Sequence, residues 1–86
     1  MESVKRKIVF YWLTHFYLRR IGKRYPDYFI KQISDLTDNY TARRIMAFRY
    51  VNDPQMKFES IAYELNMDVR NVFSHHKKVI DKIISG

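Results

Sequence analysis

The chain has 86 residues, 47% of them hydrophobic and fourteen aromatic, which is enough apolar surface to exclude disorder and to form one small domain, residues 1–86. Its net charge of +7 predicts attraction to a polyanion, with nucleic acid as the first candidate and an anionic membrane surface as the second. The chain lacks cysteine, which excludes disulfides and thiolate metal sites and fits a cytoplasmic protein.

The first predicted element is a helix over about residues 3–21 that is apolar nearly all round. Gly22 is expected to end it in the left-handed conformation. Its apolar run IVFYWL, residues 8–13, is too short for a signal peptide or a membrane-spanning helix, so no membrane partner is expected. Such a helix must be covered on more than one side. Either the rest of the domain surrounds it, or a second subunit packs on it to form a homodimer.

Basic residues are concentrated in this helix, where residues 1–22 have a net charge of +4. The candidates for phosphate contacts, or for contacts with an acidic partner, are Lys5, Arg6, Lys7, Arg19 and Arg20. Aromatic side chains between basic residues also suit stacking on single-stranded bases. Aromatic residues at helical spacing are more often part of a core or an interface.

Two shorter helices are predicted next. Pro26 suits the first position of a helix that runs to Leu36, and the turn-rich residues 37–41 separate it from a third helix over residues 41–51. The arginines of the third helix are expected to point mostly outward. Arg43 and Arg44, with Lys57 further along the chain, are candidates for phosphate contacts.

The stretch FESIAYELNMDVRNVFSHHKK, residues 58–78, predicts two helices joined by a tight turn. One apolar stripe with helical spacing is formed by Phe58, Ile61, Ala62 and Leu65. The small Ala62 lets a second helix cross at close range, Asn66 tolerates a left-handed turn, and Asp68 can cap the second helix. This pattern is typical of a helix-turn-helix, whose second helix lies in the major groove of DNA.

The outer face of the second helix carries polar and basic residues when Val72 is taken as the inward direction. Arg70 can bond to O6 and N7 of guanine, and Asn71 can pair with adenine. Lys77 and Lys78 are placed to neutralise phosphates. The residues predicted to contact DNA are Val69, Arg70, Asn71, Phe73, Ser74, Lys77 and Lys78. No acidic residue interrupts positions 69–80.

The sequence FESIAYELNMDVRNV, followed by KKVIDKI, resembles the helix-turn-helix in the C-terminal domain of bacterial sigma factors. With RRIMAFRYVND just upstream, it is also similar to the ArpU and RinA families of phage-type transcriptional activators. The resemblance covers about residues 41–84, where Asn66 replaces the usual glycine. Residues 1–40 do not resemble the sigma domain that grips the core promoter. The resemblance implies action near a promoter, in contact with RNA polymerase, with DNA-facing positions at Val69, Arg70, Phe73, Ser74 and Lys77.

Other functions are poorly matched by the sequence. His75 and His76 diverge by about 100° on a helix and lack further ligands, so no metal is expected and His76 is expected to pack inward. For Phe73, packing within the chain and contact with a thymine methyl fit equally well. No glycine-rich phosphate loop or Ser–His–acid set is present, so we expect neither a cofactor nor catalysis.

These patterns together predict an all-α bundle of four to five helices with a C-terminal helix-turn-helix. The predicted function is sequence-specific binding of double-stranded DNA by a cytoplasmic transcriptional regulator of a phage or mobile element. The net charge of residues 54–86 is only +1, which keeps an alternative open. In the alternative, the protein is an adaptor or inhibitor that uses the same two helices to engage RNA polymerase or another protein.

Overall fold

Five helices and no strand make up residues 2–85, the part of the chain that the computed structural model describes. Helix α1 covers residues 2–24 as an α-helix Glu2–Trp12, a π-helical turn Leu13–Tyr17 and an α-helix Leu18–Arg24. It is followed by α2 (Pro26–Leu36), α3 (Tyr40–Tyr50), α4 (Phe58–Glu64) and α5 (Val69–Ser85). The all-α fold is therefore confirmed. None of the described helices has the length and apolar character needed to cross a membrane.

The π-helical turn of α1 changes which residues face the core. The N–H of Leu18 bonds to the carbonyl of Leu13, five residues earlier instead of four. Thr14 is buried within this turn and donates its hydroxyl to the carbonyl of Phe10 at 2.9 Å. Because the turn accommodates one extra residue, Leu13 and Leu18 both lie in the core, where they are 6% and 4% exposed.

Gly22 does not end α1, contrary to the sequence prediction. The helix continues to Arg24, and no glycine in residues 2–85 has a positive φ. Gly22 instead packs against α3, where an added Cβ would lie 2.7 Å from the carbonyl carbon of Tyr50 and closer still to its oxygen. The helix ends at Arg24 because Pro26 disfavours a helical conformation in Tyr25, the residue before it. Pro26 then begins α2, as predicted.

Two groups of buried apolar side chains connect the helices. The first joins α1, α2, α3 and the C-terminal half of α5, and includes Phe29, Ile33, Met46, Tyr50 and Ile80. The second joins α3, α4 and the N-terminal half of α5, and consists of Ile45, Ile61, Ala62 and Val72. Helix α5 is thus anchored along most of its length. Its inward face is the predicted one, since Val72, Val79 and Ile80 are at most 2% exposed.

Arg49 packs inside the fold, which corrects the expectation that the arginines of α3 point mostly outward. Its guanidinium lies 4.2 Å from the centre of the Phe58 ring and donates to the carbonyl of Met56 at 2.9 Å. A guanidinium stacks well on an aromatic face while its N–H groups bond at the edge. Arg49 therefore holds the start of α4 against α3.

Candidate nucleic-acid interface

The turn between α4 and α5 has the local geometry expected from its residues. Asn66 has a φ of 53° and is the one non-glycine residue with positive φ in residues 2–85. The N–H of Met67 donates to the carbonyl of Ala62 at 2.9 Å, which closes the turn. The carboxylate of Asp68 accepts the N–H of Arg70 at 2.8 Å and caps α5. The predictions for Asn66 and Asp68 are confirmed.

Ala62 lies where α4 and α5 pack together. It is 6% exposed and belongs to the same buried group as Ile61 and Val72. Met67 is half-buried against this group and fills the inside of the corner. The first turns of α5 are therefore held on α4 by apolar contacts, with the opposite side of α5 left free.

That opposite side is open to solvent. The exposed residues there are Arg70, Asn71, Ser74, Lys77 and Lys78. They form a face that carries three positive charges and two short polar side chains. The same stretch of helix buries Val72 and His76 on its inner side. The structure thus brings together five of the seven residues that the sequence assigns to DNA contact.

Val69 and Phe73 are only partly available. Val69 is half-buried against the second apolar group. The Phe73 ring lies 4.9 Å from the ring of Phe58, yet the residue remains 46% exposed. Both proposed roles of Phe73 are therefore compatible with its position, because one edge packs and the other faces solvent.

Lys77 already has a partner on its own helix. Its ammonium lies 3.1 Å from one carboxylate oxygen of Asp81, and the other oxygen lies 4.0 Å from the guanidinium of Arg6. Such exposed pairs contribute little, about 0.3–0.5 kcal/mol for residues one helical turn apart. A phosphate can therefore compete for Lys77. Lys78 is exposed, and none of the ion pairs among the side chains described in residues 4–85 involves it.

The three further candidates for phosphate contacts differ in availability. Arg43 donates to the carbonyl of Thr37 at 2.7 Å and to that of Ser34 at 2.9 Å, so it fixes the connection between α2 and α3. The guanidinium of Arg43 is therefore less available to a phosphate than the sequence predicted. Arg44 is exposed beside the rings of Tyr40 and Phe48, and Lys57 is exposed just before α4.

His76 lies beneath the candidate interface and is 4% exposed, in agreement with the sequence prediction. Its Nε2 lies 2.6 Å from the hydroxyl of Tyr50, and the ring of Phe58 meets it edge-on at 5.0 Å. Burial, together with the charge of Arg49, lowers the pKa of His76 to about 4. The same burial raises the pKa of the Tyr50 hydroxyl above its usual value. Both groups are neutral at pH 7, so the hydrogen bond that joins α3 to α5 is a neutral one.

Comparison with known proteins adds no evidence on function, because no family model, curated protein or solved structure matches this chain. The resemblance of residues 41–84 to sigma factors and to the ArpU and RinA families therefore stays a prediction. Among the side chains described in residues 4–85, no cluster of three or more from His, Cys, Asp or Glu could hold a metal ion. The evidence for the candidate interface is therefore the geometry of α4 and α5.

Proposed function

We propose that this chain is a sequence-specific regulator of transcription that binds double-stranded DNA, acting in the cytoplasm of a cell that hosts a phage or mobile element. The N-terminal half of α5 would lie in the major groove. The observation that carries the proposal is the open face of Arg70, Asn71, Ser74, Lys77 and Lys78 on a helix whose start is fixed by the turn at residues 66–68.

Base recognition is assigned to the first turns of α5. In helix-turn-helix proteins, the N-terminal residues of the second helix reach the base edges. Arg70 is long enough to donate two hydrogen bonds to a guanine, and Asn71 beside it can pair with an adenine. Ser74 lies one turn later on the same face and is short enough to reach either a base edge or a phosphate.

Positioning on the DNA backbone is assigned to the lysines around this face. Lys77 and Lys78 follow the base-reading residues on α5, and Lys57 precedes α4, the helix that would cross the backbone. Each phosphate that a lysine neutralises releases counterions, so affinity should fall as salt rises. The affinity for duplex DNA is expected to drop steeply between about 50 and 200 mM salt.

Selection of duplexes from a random pool by the purified protein is expected to enrich one short motif that contains a guanine. The substitution Arg70→Ala should then reduce affinity for the selected duplex by about 5- to 150-fold, because one bidentate contact is worth about 1–3 kcal/mol. Binding to unrelated duplexes should change little. Arg24→Ala, which removes an exposed arginine from the end of α1, is the matched control and should keep the wild-type preference.

Two results would contradict this assignment. A pool that stays featureless after several rounds would show that no bases are read. An equal loss of affinity for selected and unrelated duplexes in Arg70→Ala would make Arg70 a general phosphate contact. Since Arg70 is exposed, its removal should leave the free energy of unfolding within about 0.5 kcal/mol of wild type.

A second function is favoured by the outer surface of α4. Tyr63 is 85% exposed there, and the neighbouring Glu59 and Glu64 are exposed as well. An acidic surface with a large aromatic residue suits a protein better than a phosphate backbone. In this case α4 and α5 would bind RNA polymerase or another factor as an adaptor or inhibitor. Such a protein would not bind naked DNA and would co-purify with polymerase.

A further inference from the structure

The solvent side of α1 carries a group of exposed apolar side chains. Of the thirteen large hydrophobic residues exposed in residues 4–85, seven lie on this helix: Val4, Ile8, Val9, Tyr11, Trp12, Phe16 and Tyr17. The helix uses its other side for the core, through Leu13 and Leu18. Contiguous apolar patches of this kind mark interaction sites.

Part of this patch has the spacing of a helix-pairing seam. Val4, Ile8 and Tyr11 follow one another at intervals of four and three residues, which is the spacing of the d, a and d positions of a heptad. Ile8, at the centre, is 64% exposed. His15 continues the seam, since its ring stacks on the ring of Tyr11 at 4.1 Å. A partner helix could therefore pack along about three turns of α1.

The charged residues beside the seam are basic on both sides. Lys5 and Lys7 occupy the positions that flank Val4 and Ile8, the e and g positions of the heptad, and both are exposed. Charges at e and g positions determine which helices pair. Two copies of this helix would bring lysines together, whereas a helix with carboxylates at those positions would form ion pairs.

A groove beside Tyr11 adds a place for an apolar side chain. It lies between α1 and α5, has a volume of about 500 Å³, and has Phe10, Tyr11 and Ile84 among its lining residues. The basic residues in its lining are Arg6, Lys7 and Lys77. Asp81 supplies the carboxylate in the lining, and this carboxylate is already paired with Lys77 at 3.1 Å. The groove therefore combines apolar and basic side chains in its lining.

We propose that this face of α1 binds an acidic amphipathic helix of another protein, with apolar side chains on the seam and in the groove and with Glu or Asp opposite Lys5 and Lys7. The homodimer, one of the two alternatives that the sequence left open for α1, is the competing occupant, and the lysines disfavour it. This proposal does not depend on DNA binding, because the seam and its flanking lysines lie on α1. The groove is shared with α5, where Lys77 is the one lining residue that also belongs to the candidate DNA interface.

A pair of synthetic helical peptides tests the proposal. Both have four heptads with Leu at a and d and no tryptophan; one has Glu at e and g, and the other has Lys. Trp12, the single tryptophan, is 51% exposed beside the seam and reports binding through its fluorescence. The Glu peptide should bind about tenfold tighter than the Lys peptide at low salt. Ile8→Ser should abolish binding of the Glu peptide.

Charge reversal supplies the specific control. The double substitution Lys5→Glu and Lys7→Glu should invert the preference so that the Lys peptide binds better, while Lys31→Glu on the exposed side of α2 should leave it unchanged. Equal binding of both peptides, or no response of Trp12 to either, would overturn the proposal. A stable dimer in sedimentation that Ile8→Ser dissociates would also overturn it. So would a larger change in Trp12 fluorescence with phosphatidylglycerol vesicles than with either peptide.

Discussion

Lowering the pH from 7 to 4 is expected to reduce the free energy of unfolding by roughly 3 kcal/mol through His76 alone. The pKa of this histidine is about 4 in the folded protein, where burial and the charge of Arg49 disfavour the protonated ring, against 6.5 for an unrestrained histidine. Each pH unit of difference is worth about 1.4 kcal/mol. The unfolded chain takes up the proton first, so the stability is fully present above pH 6.5 and is lost as the pH falls towards 4.

Urea unfolding at pH 7, 6, 5 and 4.5 measures this loss. His76→Gln cannot titrate and should show a much flatter dependence over the same interval, although it will be less stable at pH 7 because Tyr50 loses its partner. His75→Gln is the matched control, since His75 is only partly buried, and it should keep the wild-type slope. Parallel slopes for wild type and His76→Gln would show that other groups cause the acid sensitivity.

Gly22→Ala is expected to destabilise the protein by about 2 kcal/mol, although alanine is the better helix former. The gain in helix propensity is about 1 kcal/mol, whereas overpacking costs about 1–3 kcal/mol and occasionally more. The upper end applies because the added Cβ meets the backbone of Tyr50 at 2.7 Å or less. This carbonyl belongs to the last residue of α3 and accepts from the Arg19 guanidinium, so it cannot turn aside as a flexible side chain can. Helices α1 and α3 would have to separate.

Chemical denaturation gives the free energies of unfolding of Gly22→Ala and Lys23→Ala. Comparing them separates the effect of packing against α3 from the effect of helix propensity. Lys23 is exposed in the same turn of α1, so its replacement tests the effect of alanine without a contact on α3. We expect Lys23→Ala to remain within about 0.5 kcal/mol of wild type. A Gly22→Ala protein more stable than wild type would mean that α1 and α3 do not approach as closely as the structure indicates.

The features that the sequence predicted correctly depend on chemistry within a few residues. Pro26 begins α2 because its ring suits a first helical position, and Asn66 takes a positive φ because its short polar side chain tolerates one. Asp68 caps α5 by a bond to an amide two residues later. The exposed face of Arg70 and Ser74 follows from the helical period once Val72 is known to be buried.

The features that were missed depend on distant parts of the chain. Glycine is the residue type that most often ends a helix, so the sequence predicts a stop at Gly22. Gly22 lies within α1 instead because the backbone of Tyr50 leaves no room for a Cβ there. The sequence predicts Arg49 to be a surface residue, whereas in the fold its guanidinium lies over the ring of Phe58. The bond between Tyr50 and His76 joins residues 26 positions apart, and no local pattern pairs them. The π-helical turn likewise has no signal in the sequence, because a helix that is apolar nearly all round does not show where one extra residue is accommodated.

Nuclear magnetic resonance of the isotopically labelled protein, titrated with the duplex selected from the random pool, tests the central claim most directly. The claim is that the N-terminal half of α5 is the surface that meets DNA. We predict that the largest changes in amide chemical shift fall within residues 66–78, with the exposed turns of α1 and α2 nearly unchanged. Changes confined to α1, or no change in residues 66–78 at saturating DNA, would contradict it.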